Sequence, residues 1–141
     1  THSQSGLAKS NPSDLLHAFE TNAVGPFRVI QVLLSALLRS SNPRVINMSS
    51  QMGALSAAKG FGYSYRMSKV ALNMLTRCFA EENSQVITIS IRPGWVKTDM
   101  GGSNADLEVS YTVNKMVSLI DELDKTDSGK FLDYNKVACD W

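Results

Sequence analysis

Apolar residues along this chain fall into blocks whose period switches between the helical and the extended. Asn11-Pro12-Ser13-Asp14 is a helix-entry signal, with Ser13 as the expected cap and Asp14 near the positive end, and it predicts a helix over 13–21. Gly25-Pro26 punctuates the pattern. Phe27, Ile30, Leu33, Leu34, Leu37 and Leu38 then recur at three- and four-residue steps, predicting a second amphipathic helix to Arg39 that Ser40-Ser41-Asn42-Pro43 ends. Arg44–Ser49 is short and contains β-branched residues, the mark of a buried strand. A loop rich in Gly and Ala follows, from Ser50 to Gly62. From Tyr63 to about Asn83 the apolar positions Met67, Val70, Ala71, Met74, Leu75, Cys78 and Phe79 again keep helical spacing. Gln85–Ile91 reads as a strand stopped by Pro93-Gly94, and Phe131–Tyr134 as a short final one. Between them, after a loop around 101–105, Val113, Met116, Val117, Ile120 and Leu123 predict another helix.

Strand and helix alternate with intervals long enough for crossover helices, so the expected class is α/β with a parallel sheet. About three strands make only part of a doubly wound sheet, and the first would be bare along one edge. Residues 1–141 therefore read as one part of a single domain, with an amino-terminal portion expected ahead of Thr1, which is not a Met.

Composition narrows the function classes. With 43% hydrophobic and 19% charged residues, the chain suits a soluble globular domain. Fourteen basic against thirteen acidic residues leave a net charge of +1 without a basic stripe, which argues against nucleic acid as a partner. Cys78 and Cys139 are widely separated, so neither a disulfide framework nor a zinc site is expected, and a reducing cytoplasm fits. His2 and His17 lack ligand-type neighbours at metal-site spacing, so no metal is expected. The most apolar window, Val29–Leu38, is about half the roughly twenty residues a membrane span needs. The polar start, Thr1–Asp14, has no signal-peptide core.

The candidate chemistry lies around Tyr65-Arg66-Met67-Ser68-Lys69, where helical spacing puts a phenol and an ammonium on one face. A neighbouring cation favours phenolate, which would bring a pKa of about 10 toward the range of a general acid/base. The pairing alone is weak evidence, because Tyr111 and Lys115 repeat it. Context separates the two. Ser50 closes the strand before Tyr65 and Pro93-Gly94 closes the strand after it, and in an open parallel sheet such carboxyl ends line one ligand-binding crevice. Tyr111 has neither neighbour and reads as a pair on a solvated helix face. Tyr63 is followed four residues on by Met67 and lacks the cation.

Val-Ile-Asn-Met-Ser-Ser at 45–50, Tyr-x-x-x-Ser-Lys at 65–69 and Arg-Pro-Gly-Trp-Val-Lys-Thr at 92–98 occur in the order found in the carboxy-terminal half of the short-chain dehydrogenase/reductase family. With Asn22-Ala-Val-Gly25, the run Thr98–Gly102 and the terminal Gly129–Tyr134, nearly the whole chain resembles that family, most of all its sniffer-like and C-factor-like carbonyl reductases. The resemblance implies a Rossmann-type fold and NAD(P)-dependent reduction of a ketone or aldehyde, or oxidation of a secondary alcohol, with NADP slightly favoured over NAD. It implies that Tyr65 exchanges a proton with the substrate oxygen, that Lys69 lowers the Tyr65 pKa and holds the nicotinamide ribose, and that Ser50 orients the carbonyl. Asn22, at the break between two helices, would fix a water leading to Lys69. Pro93, Gly94, Val96 and Thr98 would bracket the nicotinamide end of the cofactor, and residues 100–106 would form a lid. A small-molecule substrate and a homo-oligomer are the implied partners.

Blander readings stand beside these. Ser50 could simply end a strand, Asn22 a helix, and Thr98 cap a turn. Met52, Trp95 and Met100 are either substrate-pocket wall or packing. No Gly-rich strand-to-helix turn occurs: Gly60-Phe-Gly62 follows a loop and no third Gly completes a phosphate cradle. The alternative function is a catalytically silent fragment acting through dimerisation or protein interaction.

Overall fold

The computed structural model describes residues 6–141, so His2 lies outside the described residues. Three parallel strands, β1 (Arg44–Met48), β2 (Ile87–Arg92) and β3 (Phe131–Asp133), form a sheet in the order β1-β2-β3. Arg44 pairs with Ile87 and Met48 with Ile91, while Ser90 pairs with Phe131. This is the α/β arrangement that the alternating pattern predicts. Among the described residues no strand covers the free edge of β1.

The first two predicted helices are joined. α1 (Pro12–Phe19) runs into a π-helical turn (Glu20–Val24) and on into α2 (Gly25–Arg39), with Gly25 N–H donating to the Glu20 carbonyl five residues back. Pro26 does not break the helix, because it falls where the π turn has already altered the backbone hydrogen-bond register. The amino-terminal cap is Asn11 and not Ser13: Pro12 occupies the first helical position, and Asn11 Oδ1 accepts from Ser13 N–H at 3.0 Å. By length and composition alone, the 28-residue helix from Pro12 to Arg39 could cross a bilayer. It carries a Glu20–Arg28 ion pair at its middle, however, and α2 packs Ile30, Leu34 and Leu37 into the core.

β2 is the centre of the core. Ile87, Ile89 and Ile91 point to one face, where Leu119 and Leu123 from the far end of α4 (Val109–Asp121) and its continuation bury them. Each such side chain contributes about 1.5–3 kcal/mol on burial. The other face meets α3 (Tyr63–Glu82) and α2, through Phe79, Val86 and Ile30. Helices thus cover both faces.

On the α3 side the contact includes buried hydroxyls. Thr76 Oγ1 donates to Leu72 O at 3.0 Å and accepts from Asn47 Nδ2 at 2.9 Å and Ser90 Oγ at 2.8 Å. These bonds tie α3 to β1 and β2 in one register, because a slip would leave buried polar groups unpaired. Gly53 sets the closeness of approach from the loop: a Cβ there would lie 2.8 Å from Lys69 Cβ. Asn73 Nδ2 donates to Gly53 O at 3.0 Å and holds the contact.

Candidate active site

Three strands that run parallel end on the same side of the sheet, and the residues just past them share one cavity. Ser50 follows β1, Pro93-Gly94 follow β2 and Tyr134 follows β3, and all line a space of about 1070 Å³ together with Tyr65 from the first turn of α3. This is the crevice at the carboxyl ends of the strands that open α/β sheets use for ligands.

Tyr65 stands at its wall. Burial raises its phenol above the ordinary 10.0, and a hydrogen bond with the Ser50 side chain acts in the opposite direction. Ser50 has left the strand and caps a short 3-10 turn, its Oγ accepting from Met52 N–H at 3.1 Å. Lys69 lies one turn along α3, with its ammonium 5.6 Å from the Tyr65 ring centroid. Its Nζ donates to the Met48 carbonyl at the end of β1, at 2.7 Å, and burial lowers its pKa from 10.5. The phenol is therefore raised where the cation argument alone predicts it lowered. Lys69 faces the ring and spends a hydrogen bond on Met48, and loss of hydration dominates.

Asn22 sits within the π turn and does not line the main cavity. With Lys69 it lines a separate groove of about 620 Å³ between α2 and β1. Its Nδ2 donates to Ser68 Oγ at 3.0 Å, and Ser68 donates to the Tyr65 carbonyl at 2.8 Å. Tyr65 thus lines the main cavity, while Asn22 and Lys69 line the second groove, with the Lys69 ammonium reaching the Tyr65 ring from that side.

Pro93, Gly94, Val96 and Thr98 all line the cavity, as do Met52, Trp95 and Met100. Gly94 has φ +83°, and a Cβ there would meet Leu107 Cδ1 at 2.5 Å, so the turn after β2 requires glycine. Thr98 is occupied locally, its Oγ1 accepting from Gly101 N–H at 3.1 Å. Trp95 Nε1 donates to Gly101 O at 2.9 Å, and Val96 pairs with Leu107 in an isolated parallel bridge. The segment expected to act as a lid is folded on itself.

Sequence reasoning missed the far wall. Val109, Thr112, Val113 and Met116 of α4 face the cavity, and Thr112 Oγ1 and Ser49 Oγ are buried there with no hydrogen-bond partner among the described residues. Helical spacing marks Val113 and Met116 as apolar but does not say that their face meets a cavity. Gly53 and Ser68 were also missed. Ser68 could have been found from its place three residues after Tyr65, on the same helix face. Among the described residues there is no metal-ligating cluster.

Residues 2–108 match the model of the short chain dehydrogenase family. Over 132 residues the chain is 39% identical to the C-signal protein of Myxococcus xanthus, covering 92% of this chain and 80% of that one. It is 31% identical over 145 residues to the short-chain dehydrogenase srdF of Neurospora crassa, of which it covers 56%. Among solved structures, the carbonyl reductase Sniffer of D. melanogaster superposes with a TM-score of 0.94 at 32% identity, over 100% of this chain and 62% of Sniffer. An NADPH-bound carbonyl reductase from chicken fatty liver gives 0.90 at 30% identity, over 98% of this chain and 61% of that one. The chain thus spans about three-fifths of the solved structures it matches. Its motif order, its parallel sheet and the match over residues 2–108 agree: this chain belongs to the short-chain dehydrogenase family.

Proposed function

We propose that residues 1–141 form the catalytic portion of a single Rossmann-type domain that reduces a ketone or aldehyde with a nicotinamide cofactor. The observation that carries this reading is Tyr65: a phenol hydrogen-bonded with Ser50, with a lysine ammonium over its ring, at the wall of a large cavity. A phenol keeps its proton at neutral pH and can pass it to a bound carbonyl oxygen, the role carbonyl reduction requires, and the Ser50 hydrogen bond opposes the upward pull of burial on its pKa.

The donor set suits the nicotinamide end of the cofactor. Ser49 offers a buried hydroxyl without a protein partner on the cavity wall, and the turn from Pro93 through Val96 to Thr98 borders the same space. The pyrophosphate end has no counterpart, since no Gly-rich strand-to-helix turn occurs in the 141 residues. NADP is favoured over NAD because the chicken carbonyl reductase, 30% identical, carries NADPH. When bound, the nicotinamide supplies the hydride. This chain's part is to hold the carbonyl oxygen between the Ser50 and Tyr65 hydroxyls, transfer the Tyr65 proton to it, and keep Lys69 beside the phenol as negative charge develops. Asn22 lies beside Lys69 in the second groove and suits the anchoring of a water for reprotonation. Met52, Trp95, Met100, Val113 and Met116 give the cavity an apolar wall that fits a hydrophobic substrate.

Self-association is part of the same proposal, and it is what the alternative reading of a silent fragment would rest on. Val29 and Val32 of α2 are 57% and 78% exposed, and Met67 and Met74 of α3 are also exposed. Full-length protein assayed for NADPH-dependent reduction of an aryl ketone tests the reading. Turnover that disappears in Tyr65→Phe is the expected result; equal turnover in both would overturn Tyr65 as the proton donor, and none in the parent would favour the silent fragment.

A further inference from the structure

The π turn at Glu20–Val24 and the first turn of α3 belong to distant parts of the sequence, yet one hydroxyl links them. Ser68 has no solvent exposure. Its Oγ accepts from Asn22 Nδ2 at 3.0 Å and donates to the Tyr65 carbonyl at 2.8 Å. In an α-helix that same carbonyl receives the N–H of the residue four positions on, which is Lys69. The Tyr65 carbonyl is thereby a junction for the backbone of the Tyr65–Lys69 turn, and its second acceptor site is committed to Ser68.

We propose that Ser68 is a positioning residue that locks the π turn carrying Asn22 to the helical turn carrying Tyr65 and Lys69, a role that rests on the reading of Tyr65 as the proton donor. π turns inserted in α-helices cost regular hydrogen bonding and persist where a side chain must be placed. Here the displaced register presents the Asn22 amide to Ser68. A hydroxyl suits this position because it accepts one bond and donates another simultaneously. Alanine could do neither, and would leave the Asn22 donor to find another partner in a half-buried groove. The consequence is that Asn22 and the Tyr65–Lys69 pair move as one unit. Losing the link loosens the hold of the Lys69 ammonium on the Tyr65 ring, so phenolate forms less readily.

The test compares full-length parent, Ser68→Ala, Asn22→Ala and the double variant, by pH-dependent carbonyl reduction and by absorbance titration of tyrosinate. Tyr65→Phe serves as the subtraction blank for the titration. The charged groups at the two spaces, Lys69, Arg44, Arg92, Asp106 and Asp133, are unchanged in all four proteins. The expected result is a fall in kcat of about fivefold to tenfold in Ser68→Ala, the scale of one or two hydrogen bonds. The Tyr65 titration should move to higher pH, and the double variant should be no worse than the more damaged single one. A Tyr65 titration in Ser68→Ala that superimposes on the parent, or losses that multiply, would overturn the proposal. Should Ser68→Ala not fold, Asn22→Leu removes the same donor at similar size without adding a charge and must produce the same titration shift. Because that titration needs no turnover, it decides the role of Ser68 even if Tyr65→Phe retains activity, an outcome that would instead refute the proposed function.

Discussion

Two tyrosines in this chain stand four residues before a lysine on a helix, and both place the ammonium over the phenol ring. The distances to the ring centroids are 5.6 Å for Lys69 over Tyr65 and 5.9 Å for Lys115 over Tyr111. Spacing alone therefore delivers the cation–ring contact, and it does so equally well in both places. The surroundings differ. Lys69 is 9% exposed, anchored to Met48 O, and its tyrosine meets Ser50 at the cavity wall. Tyr111 is 48% exposed, Lys115 is on the surface, and Tyr111 packs edge-on against Tyr134 at 6.3 Å. A motif becomes a site when other elements bury it and bring a second hydroxyl to it.

The largest expected difference is in turnover. Tyr65→Phe in the full-length protein should lower carbonyl reduction by about 10²–10⁴-fold, the usual contribution of a general acid. Tyr111→Phe should leave kcat/KM within about twofold, since its ring contact survives. Steady-state kinetics on the two variants decides, and comparable losses would mean that the surroundings do not distinguish the pairs.

Next in size is the backbone approach that seats Lys69. Gly53→Ala would force a Cβ to within 2.8 Å of Lys69 Cβ and 3.0 Å of its carbonyl carbon. Overpacking of this kind costs about 1–3 kcal/mol. Gly60→Ala, in the same connection but with nothing within 4 Å of the added Cβ, should cost far less. Thermal unfolding of the two variants measures the contrast, and equal stability would show that the loop yields without resistance.

A third difference appears at alkaline pH. Because burial raises the Tyr65 pKa in the folded chain, the unfolded chain gives up that proton first as pH climbs past about 10. The unfolded state then binds fewer protons, so this stabilising contribution, complete below about 10, is lost as pH rises through the folded-state value. Denaturant unfolding of parent and Tyr65→Phe between pH 9 and about 12 should show a steeper decline in the parent. Parallel profiles would remove the burial argument for Tyr65.

Much of this contrast was legible in the residue pattern, for reasons that can be named. Short β-branched runs and the Pro93-Gly94 stop located the strands, and 3.6-residue apolar spacing located α3, because residues such as Ile87, Ile89 and Ile91 must be apolar to fill one face of β2. Ser50 and Pro93-Gly94 were placed near Tyr65 because parallel strands share a carboxyl end, a rule of topology that needs no coordinates. Three features depended on geometry that spacing does not encode. The π turn overrode the break expected at Gly25-Pro26, since a one-residue change of hydrogen-bond register leaves no mark in hydrophobic periodicity. The direction of the Tyr65 shift reversed because desolvation depends on what covers the phenol from other elements. Asn22 and Lys69 line a different groove from Ser50 and Tyr65, although the Lys69 ammonium lies over the Tyr65 ring, because that groove is set by how α2 packs beside β1 and not by spacing within α3.

The smallest predicted effect sharpens the comparison from its unremarkable side. Lys115→Ala removes the ammonium from the Tyr111 ring, and the two residues share a solvent-facing stretch of α4. An exposed cation–π contact contributes about 0.5–1 kcal/mol at most, and holding a long lysine in one rotamer offsets part of it. Alanine also has the higher helix propensity, which returns a few tenths of a kcal/mol. The net change in stability should therefore be about 0.3 kcal/mol or less, a shift in Tm of about one degree for a chain of this size. Turnover in the full-length protein should not change. Lys69→Ala differs on every count: it empties a buried position, frees the Met48 carbonyl and strips the cation from the Tyr65 ring. Scanning calorimetry with kinetics on both alanine variants measures the gap, and a Lys115→Ala loss approaching that of Lys69→Ala would show that the solvated pair carries a role its exposure does not reveal.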